Sequence, residues 1–191
     1  MSARGRQRAG YTIIEVMVAL GILALGAAGI IALQRAAFIS TTHARNLAIA
    51  NAIAMSWAER LRVDAQQWNE YADAPDLGTT DWLNAVQMQA DQMITPTELA
   101  SFGSPISDLL GTDAYTADSP VPAFCTNIRL SRPPGFGGQP GTVIRADIRV
   151  FWERSGTPAD CTVDPNQVGL EQNRYGAVHL ATSVRRNKIQ D

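Results

Sequence analysis

An uninterrupted apolar run near the N-terminus dominates the hydrophobic pattern of the chain. It extends from Val16 to Leu33 without a charged residue, and its length just reaches the lower limit for a helix that crosses a membrane. Glu15 lies immediately before the run. A charge in hydrocarbon costs roughly 2.5–3.5 kcal/mol at a helix centre and less near its end, so a plain anchor has no use for it. The pattern predicts a membrane-spanning helix with a functional acid at its start.

Helical periodicity continues beyond the apolar run. Apolar side chains recur at steps of three and four residues, at Leu47, Ala50, Ala54, Ala58 and Leu61. No proline interrupts the chain from Tyr11 to Tyr71, so the sequence predicts one long helix from about residue 11 to residue 66. Its first half would lie in the membrane, and its second half would pack on a globular domain.

Alternating apolar and polar positions appear late in the chain and predict three strands, at Ala123–Leu130, Thr142–Arg154 and Ala177–Val184. The central strand has the clearest alternation, with one apolar face formed by Ile144, Ala146, Ile148, Val150 and Trp152. Charged residues alternate on its other face. The pattern predicts an α+β fold in which a small antiparallel sheet places one face on the long helix.

The middle of the chain predicts two short helices and a loop. Thr80 and Asp81 can cap a helix that ends near Gln92. The Thr-Pro-Thr-Glu sequence at residues 95–98 has the pattern of a capping box with proline in the first turn, which indicates a second helix start. Residues 111–122 are predicted to form a loop.

The residues before the apolar run carry a motif. Residues 1–10 contain three arginines and no acid, and they end in Gly10. The aromatic Tyr11 follows, and Glu15 comes four residues later. This stretch resembles the class III signal of type IV prepilins and pseudopilins. That signal has a short basic leader, a terminal glycine, an aromatic residue, a glutamate at the fifth mature position and an apolar segment.

The resemblance implies a pilin-like fold and a role for each of these residues. A prepilin peptidase would cut between Gly10 and Tyr11 and methylate the new N-terminus at Tyr11, where the family usually has phenylalanine. Glu15 would be the assembly glutamate, paired with the N-terminal amine of a neighbouring subunit. The chain would divide into a leader at residues 1–10, a membrane and filament-core segment at residues 11–34, and a globular domain at residues 35–191.

The charge distribution predicts the orientation of the chain. Three arginines precede the span and only Arg35 lies close after it, so the leader is expected in the cytoplasm and the globular domain in the periplasm, anchored in the inner membrane. Removal of the leader takes three of the sixteen basic residues and leaves the eighteen acidic residues in clear excess. This balance disfavours a basic surface that coats nucleic acid.

The two cysteines, Cys125 and Cys161, form no Cys-x-x-Cys motif, and His43 and His179 lack the spacing of metal ligands. Export to an oxidising compartment favours a disulfide, which would stabilise the fold by roughly 3–4 kcal/mol. Two unpaired buried thiols are the alternative. His179 is expected to be an outward-facing polar residue, and no metal or other cofactor is expected.

No catalytic set is recognisable, and the glycine-rich connection at residues 131–141 lacks the Gly-Lys-Ser/Thr ending of a phosphate-binding loop. The sequence therefore indicates a non-enzymatic protein. A membrane-anchored exported enzyme or binding domain is the competing class. Processing near Ala28 by a conventional signal peptidase would support that class, although the apolar run exceeds the length of a secretory signal.

The order of elements late in the chain makes the family resemblance more specific. It has a cysteine, a hairpin whose second strand ends in Val-Phe-Trp-Glu at residues 150–153, a second cysteine and a final strand. This order resembles the PilV family of minor pilins, the type IV pilus modification proteins. The GspI-like pseudopilins of type II secretion share the N-terminal pattern and are the alternative. The implied partners are the prepilin peptidase, other minor pilins and the major pilin.

Overall fold

A computed structural model describes residues 12–68, 77–78, 80–87, 92–118, 120–131 and 143–185. Gly10 and Tyr11, on which the processing prediction depends, lie outside the described residues, and so does most of the glycine-rich connection. The chain divides into two units with the boundary between Ala44 and Arg45.

The long N-terminal helix α1 extends from Ile13 to Asp64, which confirms the single long helix predicted from periodicity. An acid lies in its first turn and a base, Arg62, lies in its last turn, and both signs complement the helix dipole. Within the second unit, α1 buries one face composed of Ala50, Ile53, Ala54, Trp57, Ala58 and Leu61.

The second unit contains a four-stranded antiparallel sheet in the order β1-β2-β3-β4. Its strands are β1 (Ile106–Ser107), β2 (Phe124–Ser131), β3 (Val143–Glu153) and β4 (Tyr175–Arg185). The three predicted strands are present, and β4 begins two residues earlier than expected. The two-residue strand β1 was not predicted because it is too short to show an alternating pattern.

The main core lies between α1 and the inner face of the sheet. All five residues of the predicted apolar face of β3 are buried, namely Ile144, Ala146, Ile148, Val150 and Trp152. Trp57 of α1 contacts Trp82 with ring centroids 5.0 Å apart, and Trp82 contacts Phe102 edge to face at 5.4 Å. The predicted α+β architecture, a long helix packed on an antiparallel sheet, is therefore confirmed.

Helix α2 (Trp82–Gln87) is capped differently from the prediction. The carboxylate of Asp64 accepts hydrogen bonds from the main-chain N–H groups of Asp81, Trp82 and Leu83 at 2.8, 3.1 and 2.8 Å. The Thr80 hydroxyl instead donates to a main-chain carbonyl. Asp64, a residue of α1 that is distant in sequence, therefore caps α2 in place of Thr80 and Asp81. Residues 88–91 lie outside the described part of the chain.

The second helix start, expected at residues 95–98, was wrong. Ile94 and Leu99 instead form isolated β-bridges with Ile128 and Gly103. The carboxylate of Glu98 accepts hydrogen bonds from the main chain and hydroxyl of Thr116 and closes no capping box. In the described part of residues 111–122, a single 3-10 turn at Thr116–Asp118 interrupts the expected loop.

The outer face of the sheet differs from the expected polar surface. At one end it is covered by a second apolar cluster of Cys125, Phe151, Ala159, Val168 and Tyr175. The covering segment includes α3 (Pro165–Leu170), which the sequence analysis missed. Its signal was present: Asp164 accepts the N–H of Asn166 and a proline occupies the first turn. Arg149 is therefore buried instead of facing solvent.

Candidate assembly site

The start of α1 is organised around Thr12 and Glu15. The N–H of Glu15 donates to the Thr12 carbonyl at 3.1 Å and to the Thr12 hydroxyl at 3.3 Å. Thr12 therefore caps the helix and fixes where its first turn begins. The sequence analysis missed this role, although a threonine three residues before a glutamate is the capping-box pattern.

Glu15 lies among exposed apolar side chains. Ile13 is 82% exposed, and Ile14, Met17 and Leu20 are exposed as well. Such surfaces are unfavourable in water and mark contacts with lipid or protein. The carboxylate thus projects from a helix surface that has no partner in the described residues of its own unit.

This segment passes the length and composition test for a membrane span. A window of α1 has a mean hydropathy of 2.6, and none of that window is buried. A core helix of a soluble protein with this composition would be mostly buried, and a secretory signal would pass the same test. The apolar helix is consistent with membrane anchoring.

Glu15 forms no ion pair within the described residues. The nearest basic residue in the described part of α1 is Arg35, about 30 Å away along the helix axis at 1.5 Å per residue. A carboxylate in a low dielectric requires a cation or several hydrogen-bond donors. Any such partner for Glu15 comes from outside the described residues or from another molecule.

In the second unit, Cys125 of β2 and Cys161 lie at disulfide distance, with Cα atoms 5.3 Å apart and a sequence separation of 36. Cys125 is fully buried in the outer cluster. The pair joins the sheet to the segment that carries α3. His43 lies in the first unit and His179 on β4, and His179 is exposed as expected.

Arg149 and His179 are cross-strand neighbours on the outer face. Arg149 is 5% exposed and donates to the side chain of Asn127 at 2.8 Å and to the carbonyl of Pro165. Burial lowers the pKa of the Arg149 guanidinium. Partial desolvation of the otherwise exposed imidazole, followed by the charge of Arg149, lowers the pKa of His179. The lowered pKa of His179 favours a neutral imidazole at physiological pH.

A shallow cleft of about 100 Å³ lies beside β3 and is lined mainly by apolar residues, among them Leu109, Val121 and Trp152. Its single carboxylate, Glu153, already accepts hydrogen bonds from Ser155, Thr157 and Arg174. No group of three metal-ligating side chains is assembled among the described residues. The cleft offers neither a paired acid and base nor a nucleophile with its base.

Comparison with known families identifies the N-terminal segment. The family model of the prokaryotic N-terminal methylation motif matches residues 5–31, which contain Gly10, Tyr11 and Glu15. The match spans the junction predicted for cleavage and continues into α1. No curated protein and no solved structure matches the chain. The chain therefore carries a prepilin-type signal.

Proposed function

We propose that this protein is a minor pilin of a type IV pilus. The observation that carries the proposal is the methylation motif at residues 5–31, which continues into an exposed apolar helix with a carboxylate in its first turn. Proteins with this motif are processed by a prepilin peptidase and assemble with other pilins. Their role is structural, and we extend that role to this chain.

Assembly proceeds from the membrane in this proposal. The peptidase removes residues 1–10 after Gly10 and methylates the amine of Tyr11, and the chain then remains in the inner membrane with its globular domain in the periplasm. The apolar half of α1 later moves from lipid into a bundle of pilin helices. There Glu15 pairs with the N-terminal amine of a neighbouring subunit, which removes the cost of an unpaired charge in a low dielectric.

Two features favour a minor pilin of the PilV type. The apolar segment contains no proline, whereas many major pilins have a kinking proline there. The second unit also has the PilV-like order in which Cys125 lies in β2 and Cys161 follows the β2–β3 hairpin. Its partners would be other minor pilins, with which it primes filament growth, and the major pilin. A GspI-like pseudopilin of type II secretion is the second candidate, because it shares the N-terminal motif.

Leader processing tests the proposal first. The full chain is co-expressed with a prepilin peptidase, and the intact mass of the product is measured. We expect loss of residues 1–10 and one added methyl group. Gly10→Val should block both changes, because a branched side chain does not fit a site built for glycine. Gly5→Val, the same substitution away from the junction, serves as the control and should be processed normally.

Processing near Ala28, or no processing, would instead support an anchored exported enzyme or binding domain. Normal processing of Gly10→Val would also contradict the assigned junction. The two pilin candidates are separated by co-purification of the native protein with type IV pilus minor pilins or with type II secretion pseudopilins.

A further inference from the structure

Strand β4 forms one edge of the sheet. Within the described residues it pairs with β3 alone, over an unbroken register from Glu153–Tyr175 to Val143–Arg185. An edge of this length presents a row of main-chain donors and acceptors that can pair with another chain.

The hydrogen-bonding pattern shows which groups point outward. The N–H of Arg154 donates to the carbonyl of Arg174 at 2.9 Å, so these two residues form a hydrogen-bonded pair. Such pairs alternate along an antiparallel ladder. The main-chain groups that point away from β3 therefore belong to a set of five residues: Ala177, His179, Ala181, Ser183 and Arg185. Tyr175 precedes this set, but its N–H and carbonyl already bond to Glu171 and Arg154.

Among the described residues, β4 lacks two of the usual protections of an edge strand. It contains no proline, and its register with β3 shows no bulge. The side chains on its outer face at Ala177, Ala181 and Ser183 are short and exposed. An approaching strand would meet little steric resistance there.

The outer face beside this edge is basic. Arg129 and Arg145 share the single carboxylate of Asp147, at 2.9 and 3.0 Å. The two arginine side chains are 40% and 59% exposed, whereas that of Asp147 is 13% exposed. Arg185 is exposed and forms no ion pair within the described residues. The surface has excess positive charge in a chain whose side chains are acidic overall.

We propose that the free edge of β4 binds an extended acidic segment of another protein, which adds to the sheet as an antiparallel strand. The carboxylates of that segment would lie on the outer face near Arg185 and Arg145, and Arg145 lies across from the short side chain of Ser183. Apolar side chains at the alternate positions would extend the inner face beside Val178 and Leu180. The inference does not depend on the assembly role proposed for the N-terminal segment.

An acidic peptide fits this surface better than a nucleic acid. The phosphates of a nucleic acid would pair with the arginines. They would not supply a row of N–H donors for the outward main-chain carbonyls of β4. A polypeptide strand uses both the positive charge and the alternating donors and acceptors.

Peptide binding to the full chain in detergent micelles tests the inference. The probe is a fluorescent nine-residue peptide that alternates glutamate with valine or threonine, and binding is read by anisotropy. In the proposed antiparallel pair, residues that exchange hydrogen bonds have side chains on the same face. The glutamate amides therefore face β4. N-methylation of the glutamate amides should abolish binding, whereas N-methylation of the other amides should not.

Variants of the chain complete the test. Ala181→Pro removes one outward N–H that the β3 ladder does not use, so the fold should be retained and binding should weaken at least tenfold. Ala181→Ser is the matched control and should bind normally. Arg145→Gln should weaken binding and reduce its salt dependence.

Three results would overturn the inference. The first is no binding of the alternating peptide, and the second is equal binding of both N-methylated peptides. The third is equally tight binding of a single-stranded DNA of the same charge that is insensitive to Ala181→Pro, which would make the face a nucleic-acid surface.

Discussion

The two halves of α1 form one continuous helix, yet they meet different surroundings. In the first unit, apolar side chains such as those of Ile13 and Met17 are exposed, and none of the candidate span is buried. In the second unit, Ala50, Ala54 and Trp57 are fully buried against the sheet. The apolar side chains in the second half are thus covered by the rest of the chain. Those in the first half require lipid or other helices to cover them.

The acids of the two halves show the same contrast. Asp64 is buried, and its carboxylate accepts three main-chain N–H groups at the start of α2. Glu15 is exposed and has no ion pair in the described residues. One carboxylate serves the fold of its own chain, and the other has no ion-pair partner among the described residues.

The largest effect is expected from Glu15→Ala in the assembly of the filament. Membrane insertion should be intact because the substitution removes a penalty from the span, and cleavage after Gly10 should be largely unaffected. Co-purification with partner pilins and surface piliation in a strain without the native copy should be lost. Glu15→Gln, which keeps the shape and removes the charge, should share the defect. Full recovery by Glu15→Ala would show that the charge has no assembly role.

Loss of the cysteine pair should have the next largest effect. If Cys125 and Cys161 are bonded in the exported protein, Cys161→Ser should lower the free energy of unfolding by about 2–5 kcal/mol. Urea unfolding of the full chain in detergent measures this change. Thiol labelling of the unfolded, unreduced protein is the companion measurement, and two free thiols would exclude the bond.

Asp64→Ala sharpens the comparison of the two acids. It leaves three N–H groups at the start of α2 without an acceptor, two of them buried, so we expect a loss of about 2–3 kcal/mol in the free energy of unfolding. Asp64→Asn retains one acceptor oxygen and should lose less. Glu15→Ala is the matched variant in the other half and should leave the urea midpoint unchanged. Equal midpoints for Asp64→Ala and the native chain would remove the contrast.

The smallest effect is expected from Asp147→Asn, on the stability of the protein at acidic pH. Burial alone would raise the pKa of Asp147, but hydrogen bonds and charges from Arg129 and Arg145 outweigh burial and hold the pKa below the ordinary value of 3.8. The stabilisation is therefore present above about pH 3.8 and is lost as the pH falls through the lower, folded-state pKa. Asp147→Asn should cost on the order of 1 kcal/mol at pH 7 and flatten the decline below pH 4. An unchanged acid profile would contradict this assignment.

Sequence periodicity predicted the elements that depend on local pattern. Helix α1 contains no proline and includes a long apolar run, and apolar and polar residues alternate along β3. The bounds of both elements were therefore predicted closely. The capping of α2 by Asp64 was missed because it joins residues far apart in sequence. The burial of Arg149 was not predicted because it depends on the segment carrying α3, whose Pro165 carbonyl accepts a hydrogen bond from Arg149.

The candidate site at the start of α1 was predicted from a sequence motif and not from periodicity. The position of Glu15 before the apolar run predicted a functional acid, and the structure adds the Thr12 cap and the exposure of the apolar neighbours of Glu15. The junction at Gly10 and Tyr11 lies outside the described residues. A pairing partner on another chain leaves no pattern in this sequence beyond the motif itself.

The N-terminus of the copies present in assembled filaments tests the central claim most directly. Surface filaments are sheared from cells that produce the tagged protein, and its N-terminal peptide is examined by mass spectrometry. We predict that the sheared fraction contains this chain and that its first residue is N-methylated Tyr11. Recovery of the chain only from the membrane fraction, with Met1 or a residue near Ala28 as its N-terminus, would contradict the account.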